Sequence, residues 1–326
     1  MSRRLRSRSF GAAATRRSPT GSHRVDLSVS VGSVELANPV MTAAGTAGHG
    51  TEFAPYVDLG RLGAVVVKSL SAGPWAGNPA PRVVPTADGM LNSVGLQGPG
   101  IDAWARNELP GLVAAGATIV VSIWGRTVAE YADAADRLAS IDAPISAVEV
   151  NLSCPNLAGK KMFAHDPEAA AEVLDATSIL PVPRWAKLSP NTDRLVEVAQ
   201  AVASAGADAV TLVNTLLGMA IDVETRSLRL GGGGGGLSGA AMHPVAVRAV
   251  YDCRAVCPEL PIIGVGGIRS GRDAIELMLA GANAVQVGTA SFADPRAVER
   301  VLDEIEMWCV DHGVSAVREL TGGAHE

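Results

Sequence analysis

One octapeptide carries reactive groups in a pattern that packing alone does not require: Glu149-Val150-Asn151-Leu152-Ser153-Cys154-Pro155-Asn156. The alternating apolar run at 147–152 reads as a strand, and Pro155 forbids further ladder pairing. Cys154 therefore falls just past a strand end, between two carboxamides, where a bound ligand can reach its thiol. A lone cysteine is more often a packing residue than a catalytic one. Asn151 and Asn156 shift that reading, because amides offer donors and acceptors to a planar polar ligand.

Lys68 and Lys187 are the next unusual residues, each ending an apolar run where an unpaired charge is costly. Either alone could extend its amine to solvent. Two at one mouth suggest cations facing an anionic ligand. Gly266-Gly267 and Gly288-Thr289 follow two further strand-like runs. Such glycines serve turns, but they also expose backbone N–H groups that suit a phosphate. A fixed ammonium beside that phosphate would stabilise the negative N1–C2 carbonyl edge of a reduced flavin. The glycine run at 231–236, before Leu237-Ser238-Gly239, reads as a mobile loop whose end adds N–H groups to the same phosphate. His49 and His165 have no evident partner and read as surface residues.

A regular scaffold is needed to bring these groups together. Strand-like runs recur at 38–43, 64–69, 118–123, 147–152, 184–188, 209–213, 261–265 and 284–287. Helical patterns at 128–138, 167–176, 193–205, 244–256, 272–280 and 295–309 lie between most of them. Eight such units predict an α/β fold, a (β/α)8 TIM barrel, ahead of a doubly wound sheet. An N-terminal β-hairpin is expected at 25–36, and an inserted loop at 92–97 is expected to fold over the active face. Ala-Gly-Ala before three strands, at 115–117, 205–207 and 280–282, fits helix ends leading into strands. On a barrel the chemistry belongs just after the strands, where Ala44, Lys68, Ser69, Ser122, Cys154, Lys187, Asn214, Thr215, Gly266, Gly267, Gly288 and Thr289 all fall.

The 326 residues are 48% hydrophobic but only 4% aromatic, which suits small-residue helices packed on a buried parallel sheet. Residues 1–22 are basic, Ser-containing and aperiodic, and are expected to be a disordered tail ahead of a barrel at 23–326. The first twenty residues hold six arginines and no acid, leaving 21 Lys+Arg against 33 Asp+Glu for the rest. That acidic body argues against nucleic-acid binding. No run reaches the length of a membrane span. Cys154, Cys253, Cys257 and Cys309 show no paired spacing, so reduced thiols in a cytoplasmic protein are expected. Cys253 and Cys257, four apart on a helix, read as packing rather than half of a metal site.

Several motifs in order resemble class 1 dihydroorotate dehydrogenases: Lys68-Ser69, Asn92-Ser93-Val94-Gly95-Leu96-Gln97, Asn151-Leu152-Ser153-Cys154-Pro155-Asn156, Asn214-Thr215, Gly236-Leu237-Ser238-Gly239 and Gly264-Val265-Gly266-Gly267-Ile268. The likeness runs from about Val25 to the C-terminal helix, and the cysteine at 154 favours class 1 over the serine-bearing class 2. Within class 1 the chain looks more like the 1B catalytic subunit than the fumarate-using 1A enzymes. The resemblance implies FMN, oxidation of dihydroorotate to orotate, and a role in de novo pyrimidine biosynthesis. It implies Cys154 as the base at C5, with hydride passing from C6 to the flavin. Lys187 would hold the flavin N1–O2 edge, and Ala44, Lys68, Ser69, Ser122, Asn151, Val213, Gly239, Gly266, Gly267, Gly288 and Thr289 would line the cofactor. Lys68, Asn92, Ser93, Val94, Gly95, Leu96, Asn151, Asn156, Asn214 and Thr215 would bind orotate. A homodimer core and a separate subunit carrying FAD and a 2Fe–2S cluster, passing electrons to NAD, complete what the resemblance implies.

Three positions depart from the family pattern. Gly98 stands where an asparagine is usual, Ser122 where an asparagine often faces the flavin, and Ala44 where a serine lies near the cofactor. They leave room for a flavin paralogue with altered substrate or no activity. A phosphosugar aldolase-type barrel with a Schiff-base lysine is the competing reading from another enzyme class.

Overall fold

The structure, a computed structural model, describes residues 24–153 and 162–325. The basic tail, Cys154 and Asn156 lie outside the described residues. The strands in chain order are β1 (Val29–Val31), β2 (Val34–Leu36), β3 (Val40–Thr42), β4 (Val65–Val66), β5 (Val83–Thr86), β6 (Gly89–Asn92), β7 (Ile119–Ile123) and β8 (Ile145–Asn151). They continue with β9 (Arg184–Lys187), β10 (Ala209–Leu212), β11 (Leu216–Gly218), β12 (Ile221–Asp222), β13 (Ser227–Leu228), β14 (Gly235–Ser238), β15 (Ile262–Val265) and β16 (Ala284–Val287). The α-helices are α1 (Ile101–Asn107), α2 (Leu109–Ala114), α3 (Val128–Ala139), α4 (Pro167–Ala176), α5 (Leu195–Ser204), α6 (His243–Val256), α7 (Gly271–Leu279), α8 (Ala290–Ala293) and α9 (Ala297–His312).

Eight parallel strands, in the order β3-β16-β15-β10-β9-β8-β7-β4, form the barrel. A Met41–Ala64 bridge joins β3 to β4 and closes the ring, with the Thr42 amide donating to Ala64 O at 3.2 Å. Strands β7, β10, β15 and β16 are buried along their whole length, as expected of parallel strands covered by helices. Local chemistry fixes the helices: Thr127 caps α3 by accepting from the Glu130 amide, and Ser270 with Asp273 forms a capping box on α7. Gly116, Gly206 and Gly281, the middle residues of the Ala-Gly-Ala repeats, all take positive φ (+68°, +85° and +127°). The expected helix endings are therefore present, made by the one residue that enters that region without strain.

The sequence pattern misplaces one stretch. The glycine run is not a mobile loop: its end forms β14 in a four-stranded antiparallel sheet of order β11-β14-β6-β5. Glycines let this strand lie directly on its neighbours, since a Cβ on Gly236 would meet Thr215 Cβ at 2.7 Å. Val84, Leu91 and Leu230 make a small apolar cluster of their own under this sheet. The long insertion after β4 is the β5–β6 hairpin followed by α1 and α2, with Pro110 in the first turn of α2. Among the described residues no helix is long and apolar enough to cross a membrane.

The predicted hairpin, β1–β2, plugs the barrel end opposite these loops, burying Val29, Val31, Val34 and Leu36. The chain just before it pairs with a segment late in the sequence. Asp26 bridges Ala316, its amide donates to Ser315 O at 2.9 Å, and its carboxylate pairs with Arg318. The Ser28 hydroxyl, then the Arg318 guanidinium, hold the Asp26 carboxyl at about 2, below its ordinary 3.8. A depressed carboxyl contributes stability above its unfolded value and loses it as pH falls through the folded one. Asp26→Asn is expected to lower the melting temperature at pH 6. That gap should close between about pH 4 and pH 2, where the wild-type carboxyl takes its proton. Thermal melts of both proteins across this range check it, and a gap independent of pH would refute it.

Candidate active site

The strand ends and the antiparallel sheet above them enclose a cavity of about 1150 Å³. A site for one small ligand typically holds roughly 300–1,000 Å³, so there is room for more than one. Its floor is a charged network. Lys187, 5% exposed, sends Nζ to Glu149 Oε1 at 3.2 Å and to Gln286 Oε1 at 3.2 Å. Glu149 Oε2 accepts from Gln286 Nε2 at 2.7 Å and from Thr211 Oγ1 at 3.2 Å. The register Asn151–Lys187–Thr211 across β8, β9 and β10 brings these side chains into the barrel interior.

Lys68, at the end of the second barrel strand, is half-buried and lines the same cavity. Burial, then the charge of Arg82, pushes its ammonium below the usual lysine range. Among the described residues its amine has no hydrogen-bond partner, and it is left facing the cavity. Lys187 is different, because it already has a counter-ion inside the protein.

Carboxamides and hydroxyls form the opposite wall. Asn214 Nδ2 donates to Asn151 Oδ1 at 3.1 Å, and Asn151 Nδ2 donates to Ser69 Oγ at 3.3 Å. The antiparallel sheet supplies the roof through Asn92, whose Nδ2 donates to Gly236 O at 3.3 Å. Arg82 staples the inserted loop by donating to Asn78 O, Ala76 O and Gln97 Oε1 at 2.7, 2.9 and 3.1 Å. Gln97 is thus spent on holding the loop.

Glycines make the far end. A Cβ on Gly266 would meet Ala246 Cβ at 2.6 Å, and one on Gly267 would meet His243 Cβ at 2.6 Å. Only glycine lets this turn sit against the start of α6, leaving its backbone facing the cavity. Thr289 Oγ1 donates to Ser238 Oγ at 2.8 Å and ties this end to the roof. The exposed Arg269 stands beside it at the mouth.

Every predicted site residue among the described ones lines the cavity except Ser122. That side chain is fully buried behind Ser69, with the two Oγ atoms 2.8 Å apart. His49 and His165 are not surface residues: both are half-buried with Nε2 shut off from solvent and unpartnered among the described residues. Burial, then the Lys68 charge, lowers the His49 imidazole, which leaves it neutral at pH 7. Cys253 packs in the core, where burial pushes its thiol up to about 12, in line with the packing reading.

Sequence reasoning missed Glu149, Gln286 and Asn191. The first two are polar residues inside apolar strands, and each was a visible signal that a buried partner must exist. Asn191 lines the cavity while donating to Thr215 O at 2.9 Å and accepting from the Leu217 amide at 2.8 Å. Nothing in its loop sequence sets it apart from an ordinary turn asparagine.

Fold and site together define a (β/α)8 barrel with a large cavity, an ammonium on its floor, carboxamides on its wall and a glycine cradle at one end. A family model described as "Dihydroorotate dehydrogenase" matches residues 26–308. A protein of Citrifermentans bemidjiense is 50% identical over 301 residues, covering 92% of this chain and 98% of its own length. One from Geobacter metallireducens is 49% identical over 92% of this chain and 98% of its own, and one from Alkaliphilus oremlandii 46% over 92% and 99%. All three are named dihydroorotate dehydrogenase B (NAD(+)), catalytic subunit. The chain belongs to the dihydroorotate dehydrogenase family. The expected likeness to class 1B is borne out.

Proposed function

We propose that this chain is a class 1B-type dihydroorotate dehydrogenase, oxidising dihydroorotate to orotate in de novo pyrimidine synthesis with FMN as cofactor. The observation that carries the reading is the carboxylate-anchored ammonium of Lys187, set between the glycine cradle and the carboxamide wall. Bound FMN supplies the hydride acceptor. Gly239, Gly266, Gly267, Gly288 and Thr289 would hold its phosphate, and Lys187 its N1–O2 edge. Ala44, Lys68, Ser69, Asn151 and Val213 would border the ring system, while Ser122 would act only by orienting Ser69.

Asn92, Ser93, Val94, Gly95, Leu96, Asn214 and Thr215, with Asn151 and Lys68, would hold the substrate's amides and carboxylate. Asn156 and Cys154 would complete the site, the Cys154 thiolate accepting the C5 proton on Sγ. The cavity wall reaches Ser153, one residue before that thiol. Electrons would leave through a second subunit carrying FAD and a 2Fe–2S cluster, with NAD as final acceptor and a homodimer of this chain as the core. The relatives' designation as a catalytic subunit with NAD(+) supports this. An absorbance spectrum followed by anaerobic dihydroorotate tests the whole reading. A yellow protein that bleaches is expected. A colourless one that traps a substrate with borohydride would favour the aldolase reading, and a yellow one that does not bleach a silent paralogue.

The roof makes a sharper prediction. A Cβ at Gly236 intrudes on Thr215, which the Asn191 amide holds from behind. Gly236→Ala is therefore expected to weaken orotate binding by about tenfold or more, since misplacing a positioning group by about 1 Å can cost 100-fold. FMN affinity should stay within about twofold, because Thr215 is among the residues that would hold substrate and not among those that would hold the flavin. Titration of flavin absorbance with orotate measures the first and titration of the stripped protein with FMN the second, and a parallel loss of the two ligands would contradict it.

A further inference from the structure

Glu149 has no exposed surface, sits in the middle of β8, and takes no part in the roles assigned so far. A carboxylate in that position is destabilising unless it is paired and fully hydrogen-bonded. Here it is both. Oε1 receives Lys187 Nζ at 3.2 Å, and Oε2 receives Gln286 Nε2 at 2.7 Å and Thr211 Oγ1 at 3.2 Å. Gln286 closes the ring by accepting from Lys187 Nζ through Oε1 at 3.2 Å. Two of the three ammonium donors are thus taken from within the barrel, and one is left for the cavity that Lys187 lines.

We infer that Glu149 is a positioning residue for Lys187, setting both the direction of its free N–H and the net charge of the cavity floor. The inference rests on the flavin reading of the site. A bare ammonium favours an anionic reduced flavin strongly over the neutral oxidised form. Pairing it with a carboxylate one contact below makes the floor nearly neutral overall, so the ammonium still donates a hydrogen bond while its preference for the reduced form is moderated. An electron carrier that must both take and release electrons needs that moderation.

The test compares FMN affinity in the oxidised and reduced states for the reconstituted full chain. In Glu149→Gln the ratio of oxidised to reduced dissociation constants is expected to rise about tenfold, a positive shift of about 30 mV for a two-electron couple. Glu149→Asp keeps the charge, which protects folding, but withdraws it by one methylene. It should raise the ratio about threefold. A residue needed only for folding would weaken both flavin states equally. An unchanged ratio in the Asp or Gln variant overturns the inference.

A flavin-free readout separates this inference from the cofactor assignment. Lys187 and Lys68 are two of only four lysines in the chain, so brief acetylation of flavin-stripped protein can be resolved residue by residue. Without its carboxylate the Lys187 amine is tethered only by uncharged amides and turns more readily into the cavity that it lines. Its labelling relative to Lys68 should rise about threefold or more in Glu149→Gln, as expected when one partner of a buried pair is removed. A wild type that takes up no FMN would defeat the cofactor reading alone. Equal Lys187 labelling in wild type and variant would defeat the role of Glu149.

Discussion

Cys154→Ala is expected to slow dihydroorotate-driven flavin reduction by about 100- to 10,000-fold, the range a positioned general base supplies. FMN and orotate should still bind, because Lys187, Asn151 and Asn214 keep their own partners. A free thiol titrates near about 8.5, so the wild-type rate should climb with pH and level off as the thiolate fills. Cys154→Ser should exceed the Ala variant only at high pH, where a hydroxyl becomes a usable base. Stopped-flow flavin reduction across pH decides the matter. Near wild-type rates with an unchanged profile would return Cys154 to a packing role and leave the proton acceptor unassigned.

Lys187→Met is expected to have the largest effect on folding. It strands the Glu149 carboxylate in the barrel, and breaking a buried pair from one side costs about 3–5 kcal/mol. A domain is stable by only about 5–15 kcal/mol, so this variant should be marginal. Removing both charges is another matter. The double variant Lys187→Met/Glu149→Leu should recover most of the loss, since apolar replacements of a buried pair are often neutral or better. Both should bind FMN poorly. Urea denaturation of the stripped proteins separates the two effects, and a single variant that loses less than about 1 kcal/mol would show that the pair carries little of the fold.

The barrel was readable because each strand is a short apolar run between helical patterns. The elements at 167–176 and 284–287 were bounded to the residue. The antiparallel roof was not readable for the opposite reason. Gly235-Gly236 has no side-chain alternation, and its partner strand β6, with Asn92 opposite Gly236, lies more than a hundred residues earlier. The cavity residues followed from one rule, that barrel chemistry gathers after the strands. That rule also brought in Ser122, which follows the same pattern but points behind Ser69. Glu149 shows what such a rule omits. It precedes the strand end by two residues, so it acts from beneath the site, and only the three-dimensional ring with Lys187 and Gln286 reveals what it holds.

The pairing of Asp26 with Ala316 and Arg318 has a practical side for handling the molecule. Arg24, two residues before the Asp26–Ala316 bridge, and His325, held at Ala280 O just ahead of β16, lie towards the end where the barrel strands begin, while the cavity opens where they finish. A tether to a bead, electrode or sensor chip attached at Arg24 or His325 would present the open mouth outward, free for small molecules to enter.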